Sequence, residues 1–182
     1  MSIRNKSLLL NELESRVEKH LKETIQIFQN LEEEVLIKDS INGGWSIAQC
    51  LEHLNYYGNY YLPLIENGIA VSKVANSNEV KFSRIGKFFI KVLEPESGKR
   101  KLKAFKSYSP PSISEPYPII AEFINQQERL LNSINKARNM DLNKIKIPVS
   151  IIKLLKLNIG EILNVLVAHN DRHFLQAKRN LP

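Results

Sequence analysis

The sequence predicts an all-α fold, a four-helix bundle with a long, basic, proline-rich connection between its second and third main helices. Four segments repeat apolar residues every three or four positions, which is the spacing of an amphipathic helix. No segment shows convincing strand alternation. Amphipathic helices with few competing strands bury their apolar stripes against one another, and 182 residues suit a single domain over 1–182.

The first helix is predicted from an apolar series between residues 10 and 35, interspersed with Glu and Lys. Its members step by three or four positions: Leu10, Leu13, Val17, Leu21, Thr24, Phe28, Leu31 and Val35. We expect a helix of about 30 residues or slightly fewer. The sequence Asn42-Gly43-Gly44 then breaks the chain.

Ser46 is predicted to cap the second helix, because Gln49 three residues later can complete a capping box. We expect this helix to end near residues 67–68, and Pro63 to bend or shorten it. Its aliphatic stripe differs from the face that carries His53, so the helix is expected to bury two sides.

The second half of the chain begins with a shorter amphipathic helix, predicted over 80–93, and a long irregular connection over 94–118. Four of the eight prolines fall within 110–118. The third main helix is expected at about 117–138, with Gln127 interrupting its apolar face. After a loop around 139–150, the last helix is expected from about Gly160 to Arg179.

Charge and cysteine content narrow the function classes. The formal net charge is +7, and Cys50 is the single cysteine, so no internal disulfide can form. The N-terminal run of three leucines is too short for a signal-peptide core, and no apolar stretch approaches the roughly 18–20 residues of a membrane span. We therefore expect a cytoplasmic protein without a membrane partner.

A basic segment lies between residues 81 and 106, where nine Lys or Arg residues accompany two glutamates. Such a segment can meet phosphates, anionic lipid or an acidic substrate. A solvated basic loop is the more ordinary interpretation. Because no DNA- or RNA-reading motif and no regular aromatic interleaving accompany the segment, nucleic-acid binding is the weaker expectation.

His169 and His173 are spaced i, i+4 on the predicted last helix, beside its apolar stripe. We therefore expect both rings to face the bundle interior or its rim, and Asp171 and Arg172 to face solvent or a subunit partner. Two imidazoles one turn apart can share a metal ion, as in the H-E-x-x-H motif, although Asn170 stands here in place of its glutamate. The alternative is two partly buried histidines with ordinary hydrogen bonds.

A third ligand would have to come from elsewhere, since two side chains hold a metal weakly. His53 and His20 are the two remaining histidines. His53 shares its helix face with a cysteine and tyrosines, a polar and aromatic combination that can line a small site. His20 lies at the edge of an apolar stripe between charged residues, which is typical of a boundary residue.

Three blocks in this order resemble the DinB superfamily, including its YfiT-like proposed metal-dependent hydrolases: WSIAQCLEHL, the basic SGKRKLKAF and IGEILNVLVAHNDRHFLQAKR. The resemblance covers roughly residues 40–180. It implies a four-helix bundle in which three histidines converge on one divalent metal. Matched residue by residue, the first block supplies His53 and the last supplies His169 and His173, while His20 matches nothing.

The resemblance implies a hydrolase or a thiol-S-transferase that acts on a small molecule, with a low-molecular-weight thiol as one candidate substrate. Zinc or nickel is the expected metal, and manganese or iron would also fit three imidazoles. A homodimer is one assembly that we consider for this protein. The catalytic residues stay open, and four side chains are candidates to line the pocket: Cys50, Tyr57, Tyr60 and Gln127.

Cys50 and Gln127 can also be explained as structural residues that take no part in a site. A buried cysteine is more often a small core residue than a nucleophile. A glutamine on an apolar helix face can bond to a neighbouring helix instead of facing a site. Because no general base is evident, the competing function is a non-catalytic metal-binding or interaction module of the same fold.

Overall fold

The computed structural model describes residues 2–41, 43–75, 77–95 and 105–182. Its four long helices are α1 (Lys6–Gln26), α3 (Ile47–Ala70), α5 (Pro116–Ala137) and α6 (Ile159–Lys178). Both α1 and α3 pack against α5 and α6. The predicted four-helix arrangement is therefore confirmed.

The first helix ends earlier than predicted. α1 stops at Gln26, a 3-10 turn covers Phe28–Asn30, and the short α2 spans Glu33–Ile37. The side-chain nitrogen of Asn30, Nδ2, donates to the backbone carbonyls of Ile25 at 2.9 Å and Gln26 at 3.3 Å. A side chain that bonds the last carbonyls of a helix competes with further helical turns, so the apolar series continues in a separate segment.

The second main helix follows its predicted start. The Ser46 hydroxyl accepts from the Gln49 backbone at 3.1 Å, and the Gln49 side chain accepts from the Ser46 backbone at 3.0 Å. This reciprocal capping box begins α3, which continues through Pro63 to Ala70. His53 therefore lies in the second turn of a well-capped helix.

Two small two-stranded sheets accompany the helices, and they were not predicted from the sequence. β1 (Ser2–Asn5) pairs antiparallel with β2 (Glu79–Phe82), and β3 (Lys146–Val149) pairs antiparallel with β4 (Ile152–Asn158). The alternation in β2 covers only four residues and runs directly into the next apolar segment. The pattern over 80–93 consequently suggested one helix, whereas α4 covers only Arg84–Leu93.

A buried glutamate joins the start of α4 to the start of α6. Glu161 forms a capping box with Asn158, the N-cap of α6, and is 2% exposed. Its other carboxylate oxygen accepts from the backbone N–H of Ser83, the N-cap of α4, at 2.6 Å. The two helices are thus aligned by a single side chain.

The long connection is only partly described. Residues 96–104 lie outside the described residues, and with them Lys99, Arg100, Lys101 and Lys103 of the basic segment. The described part contains a 3-10 turn over Lys106–Tyr108, which contacts α3. Within the described part of the chain, no helix combines the length and apolar character needed to cross a membrane.

Candidate metal centre

Three histidines from two helices meet inside the bundle. His53 lies in α3, and His169 and His173 lie one turn apart in α6. Because α3 packs against α6, one ring nitrogen of each histidine lies within 4.8 Å of the other two. The ring centroids are 4.4 to 5.0 Å apart.

The cluster is shielded from water by the packing of α6. Every residue from Ile159 to Asn170 is buried, since α6 contacts α1, α3, α4 and the β3–β4 hairpin. His53 is 2% exposed and His169 is 6% exposed, while His173 is partly buried. Polar partners for these rings must therefore come from the protein or from a bound group.

Carbonyl oxygens hold the outer nitrogen of two of the rings. Nδ1 of His53 lies 2.6 Å from the backbone oxygen of Tyr108, and Nδ1 of His173 lies 3.0 Å from the amide oxygen of Gln176. A carbonyl oxygen can only accept, so each Nδ1 carries the proton and donates it. The lone pair then lies on Nε2, and Nε2 of His53 faces Nε2 of His169 at 3.2 Å. Metal-ligating histidines are commonly fixed in this way.

The surroundings favour the neutral form of all three imidazoles. Burial lowers the pKa of His53, although its hydrogen bond to the Tyr108 carbonyl opposes the shift. Burial, followed by the neighbouring His173 and His53, lowers the pKa of His169. Burial and the proximity of His53 lower the pKa of His173 to about 3. Neutral imidazole is the form that ligates a metal, so these rings can accept an ion at pH 7 without losing a ring proton.

Aromatic rings surround the cluster. The Trp45 and His53 ring centroids lie 4.7 Å apart. Tyr57 packs edge-on against His169 with centroids 4.4 Å apart, and it stacks on Tyr108 at the same separation. These contacts restrict rotation of the imidazoles and place one phenol beside them.

The cluster lines a cavity of about 310 Å³. Its apolar wall comes from α4, the β3–β4 hairpin and α6, with Phe105 from the connection. Its polar lining, apart from the histidines, consists of Tyr57, Tyr61, Ser150 and Arg172. Among the described residues, no carboxylate lines the cavity.

The four predicted pocket residues are placed in different environments. Tyr57 lies in the cavity wall. Cys50 is fully buried in an apolar cluster, where burial raises the pKa of its thiol to about 12. Gln127 accepts a hydrogen bond from Asn170 of α6 at 3.2 Å, and it lies outside this cavity, as does Tyr60.

The fourth histidine belongs to a separate ion-pair network. His20 Nε2 lies 2.6 Å from the Asp171 carboxylate, and Arg16 Nε donates to the same carboxylate at 2.7 Å. Asp171 therefore faces α1, and Arg172 lines the cavity. Both residues were expected to point away from the metal side, toward solvent or a subunit. Asp171 does point away but meets α1, whereas Arg172 lies on the metal side, because α6 is covered on several sides.

Two contributors to the centre were not predicted. Gln176 lies three residues after His173 on the same helix, a spacing that brings side chains together, so the sequence held a usable signal. Tyr108 contributes its backbone oxygen from the long connection. A backbone group carries no residue-type signature, and its position depends on how the connection packs.

Comparison with known proteins identifies the family of this chain and a solved structure with a similar fold. A sequence model of the DinB superfamily matches residues 16–177. The structure is similar to that of YfiT from Bacillus subtilis, described as a probable metal-dependent hydrolase with an unusual four-helix bundle topology. That similarity has a TM-score of 0.55 at 14% identity and covers 96% of this chain and 85% of YfiT, so it shows the fold. No curated protein shows a significant sequence match.

Proposed function

The chain belongs to the DinB superfamily, and from this premise we propose that it is a divalent-metal-dependent enzyme of the hydrolase or thiol-S-transferase type. Its metal ligands are His53, His169 and His173. One observation carries the proposal: the three imidazoles converge while carbonyl oxygens occupy the outer nitrogens of two of them. Its substrate is a small molecule that enters the adjoining cavity.

The spacing of two of the nitrogens suits a shared ion as well as it suits a mutual hydrogen bond. Two nitrogens at about 2.0–2.1 Å from one tetrahedral ion are roughly 3.3–3.4 Å apart. The two facing nitrogens of His53 and His169 are 3.2 Å apart. In a structure without an ion, one of these nitrogens would have to carry a proton and donate it to the other.

Zinc or nickel suits this ligand set, with manganese and iron as alternatives. Three nitrogen donors without a carboxylate among the described lining residues favour the metals that prefer imidazole, whereas manganese prefers oxygen ligands. Such an ion, when bound, lowers the pKa of coordinated water and polarises a substrate carbonyl, or stabilises a thiolate.

The protein supplies orientation, exclusion of water and a hydrogen-bond donor. The Tyr108 carbonyl orients His53, and the buried packing of α6 keeps bulk water from His169. Burial raises the pKa of Tyr57, so its phenol stays protonated and can donate to a substrate oxygen in the cavity. Among the described residues no cavity carboxylate can serve as general base, so proton transfer must use another group.

Elemental analysis of protein purified without added metal, and again after exposure to zinc, tests the ligand set. We expect about one equivalent of metal in the wild type and a large loss in His53→Ala. The matched control is His20→Ala, which removes an equally buried histidine outside the cluster and should retain metal. Equal, low metal content in the wild type and His53→Ala would refute the proposal.

The competing function is a non-catalytic module that uses the metal structurally or not at all. The lack of a carboxylate in the described cavity lining favours it. Thermal unfolding with and without a chelator separates the two roles, since a structural ion contributes its binding energy to folding. A large fall in the melting temperature on chelation, without turnover of any ester or thiol substrate, would support the module.

A further inference from the structure

The cavity beside the three histidines has an apolar interior. α4 contributes Val92 and Leu93, the β3–β4 hairpin contributes Val149 and Leu157, and α6 contributes Val165. Water in such a space finds few partners and is released favourably by an apolar ligand. The histidines lie at the surface of a space suited to hydrocarbon.

The polar groups of the hairpin side are already paired with each other. The Tyr61 hydroxyl donates to Ser150 Oγ at 3.2 Å, and it accepts from the Ser150 backbone N–H at 3.0 Å. The Tyr61 hydroxyl is therefore occupied both as donor and as acceptor, and the Ser150 hydroxyl keeps its own proton for one further acceptor. A ligand with many hydroxyl groups would leave some of them unpaired here, at a cost of about 1–3 kcal/mol for each buried group.

An exposed aromatic residue extends the apolar surface outward. Phe105 lines the same cavity and is 56% exposed, whereas large apolar side chains are more often covered. Its ring offers a contact to a molecule that enters from solvent.

From these contacts we propose that the substrate carries an extended apolar group, aliphatic or aromatic, which this cavity binds while the polar reacting group lies at His53, His169 and His173. This inference rests on the proposed function for the location of the reacting group. It selects an apolar substrate over a multiply hydroxylated thiol as the molecule that occupies the cavity.

Straight-chain hydroxamates test the proposal, because their head group chelates divalent metals and their chain length can be varied. Calorimetric titration of the zinc-loaded protein should give tighter binding from acetohydroxamate to octanohydroxamate, by roughly fourfold per methylene until the cavity is filled. Equal affinity for the two compounds, or no binding of either to zinc-loaded protein, would overturn the proposal.

A pair of tryptophan variants separates the cavity from the metal centre. Val92→Trp should fill the cavity and weaken octanohydroxamate binding at least tenfold, while acetohydroxamate binding changes little. Phe88→Trp is the matched control, since Phe88 lies on the same helix, is 61% exposed and does not line the cavity. Circular dichroism checks that both variants fold. An unchanged chain-length preference in Val92→Trp would count against this cavity as the binding site.

If the proposed metal centre is wrong, the experiments give a different result from the one expected if only the apolar cavity is wrong. A protein that retains no zinc refutes the metal centre, and the apolar cavity is then tested with alcohols that need no metal. Tighter binding of 1-octanol than of 1-butanol would support the cavity even then. Equal affinity for these alcohols would overturn it.

Discussion

Gly86 lies where a side chain would collide with the buried glutamate that aligns α4 and α6. A Cβ atom at this position would approach the carboxylate of Glu161 and lie 2.7 Å from its Cδ, closer than real contacts of this kind. Glu161 is 2% exposed and accepts backbone hydrogen bonds from Ser83 at 2.6 Å and Asn158 at 3.1 Å. Gly86→Ala must therefore displace a carboxylate that is held at both oxygens.

Two opposing effects determine the result of this substitution. Alanine in place of glycine favours a helix by at most about 1 kcal/mol. Loss of two hydrogen bonds to a charged group costs about 3–6 kcal/mol in total. We expect Gly86→Ala to lower the free energy of unfolding by about 2–5 kcal/mol when both bonds are lost.

Urea unfolding of a double-mutant cycle is the assay for this prediction. Once Glu161→Ala has removed the carboxylate, the same glycine substitution should become stabilising by up to about 1 kcal/mol, because only the helix preference remains. The reasoning is refuted if Gly86→Ala shifts stability equally in the two backgrounds, or leaves the wild type unchanged.

Three further predictions concern the centre and the packing around it. Asp171→Asn should destabilise by about 1–3 kcal/mol at pH 7 in urea unfolding, because it removes the charge that pairs with the partly buried Arg16. Burial raises the pKa of Asp171, but the hydrogen bond and charge of His20 and the charge of Arg16 outweigh burial and lower it overall. A depressed folded pKa stabilises above the unfolded value of about 3.9, so the difference should shrink as the pH falls below about 4. Gln176→Ala removes the acceptor of His173 and should weaken zinc binding by about 10- to 100-fold in chelator competition. Gly58→Ala should destabilise the wild type in thermal unfolding, because a Cβ there would lie 2.5 Å from the amide carbon of buried Gln126.

Each of these predictions has a control. For Asp171→Asn, a difference that stays constant from pH 7 to pH 3 would contradict the role of the ionised carboxylate. Leu175→Ala, an exposed neighbour on the same helix, should leave zinc affinity unchanged, and an equal affinity in Gln176→Ala would argue against outer support of His173. Gln126→Ala should reverse the sign of the Gly58→Ala effect, and a persistent loss in that background would contradict the clash.

Much of the helical framework followed from short-range patterns. The capping box of Ser46 and Gln49 located the start of α3, and the last main helix lies within one residue of its expected limits. These features depend on residues within a few positions of each other, so the sequence contains the necessary information. The hairpin over 146–158 was missed because its pairing joins separate short segments with interrupted alternation.

In the candidate site, too, short-range spacing predicted some features and the packing of the bundle decided others. The spacing of His169 and His173 placed two imidazoles on one side of a helix, and the family resemblance selected His53 as the third. Periodicity alone left Gln127 with two explanations, and the packing of α5 against the bundle paired it with Asn170. A helix face that carries a polar residue does not reveal which neighbour that residue meets.

By itself, the sequence determined that four long helices form, where the second of them is capped and which histidines share a helix face, since all three follow from interactions over one or two turns. Tertiary structure alone decided that Nε2 of His53 faces His169, that the Tyr108 carbonyl fixes the His53 ring, and that apolar side chains of α4 and the hairpin enclose the adjoining cavity. These contacts join residues 55 to 116 positions apart, and packing of the complete bundle brings them together.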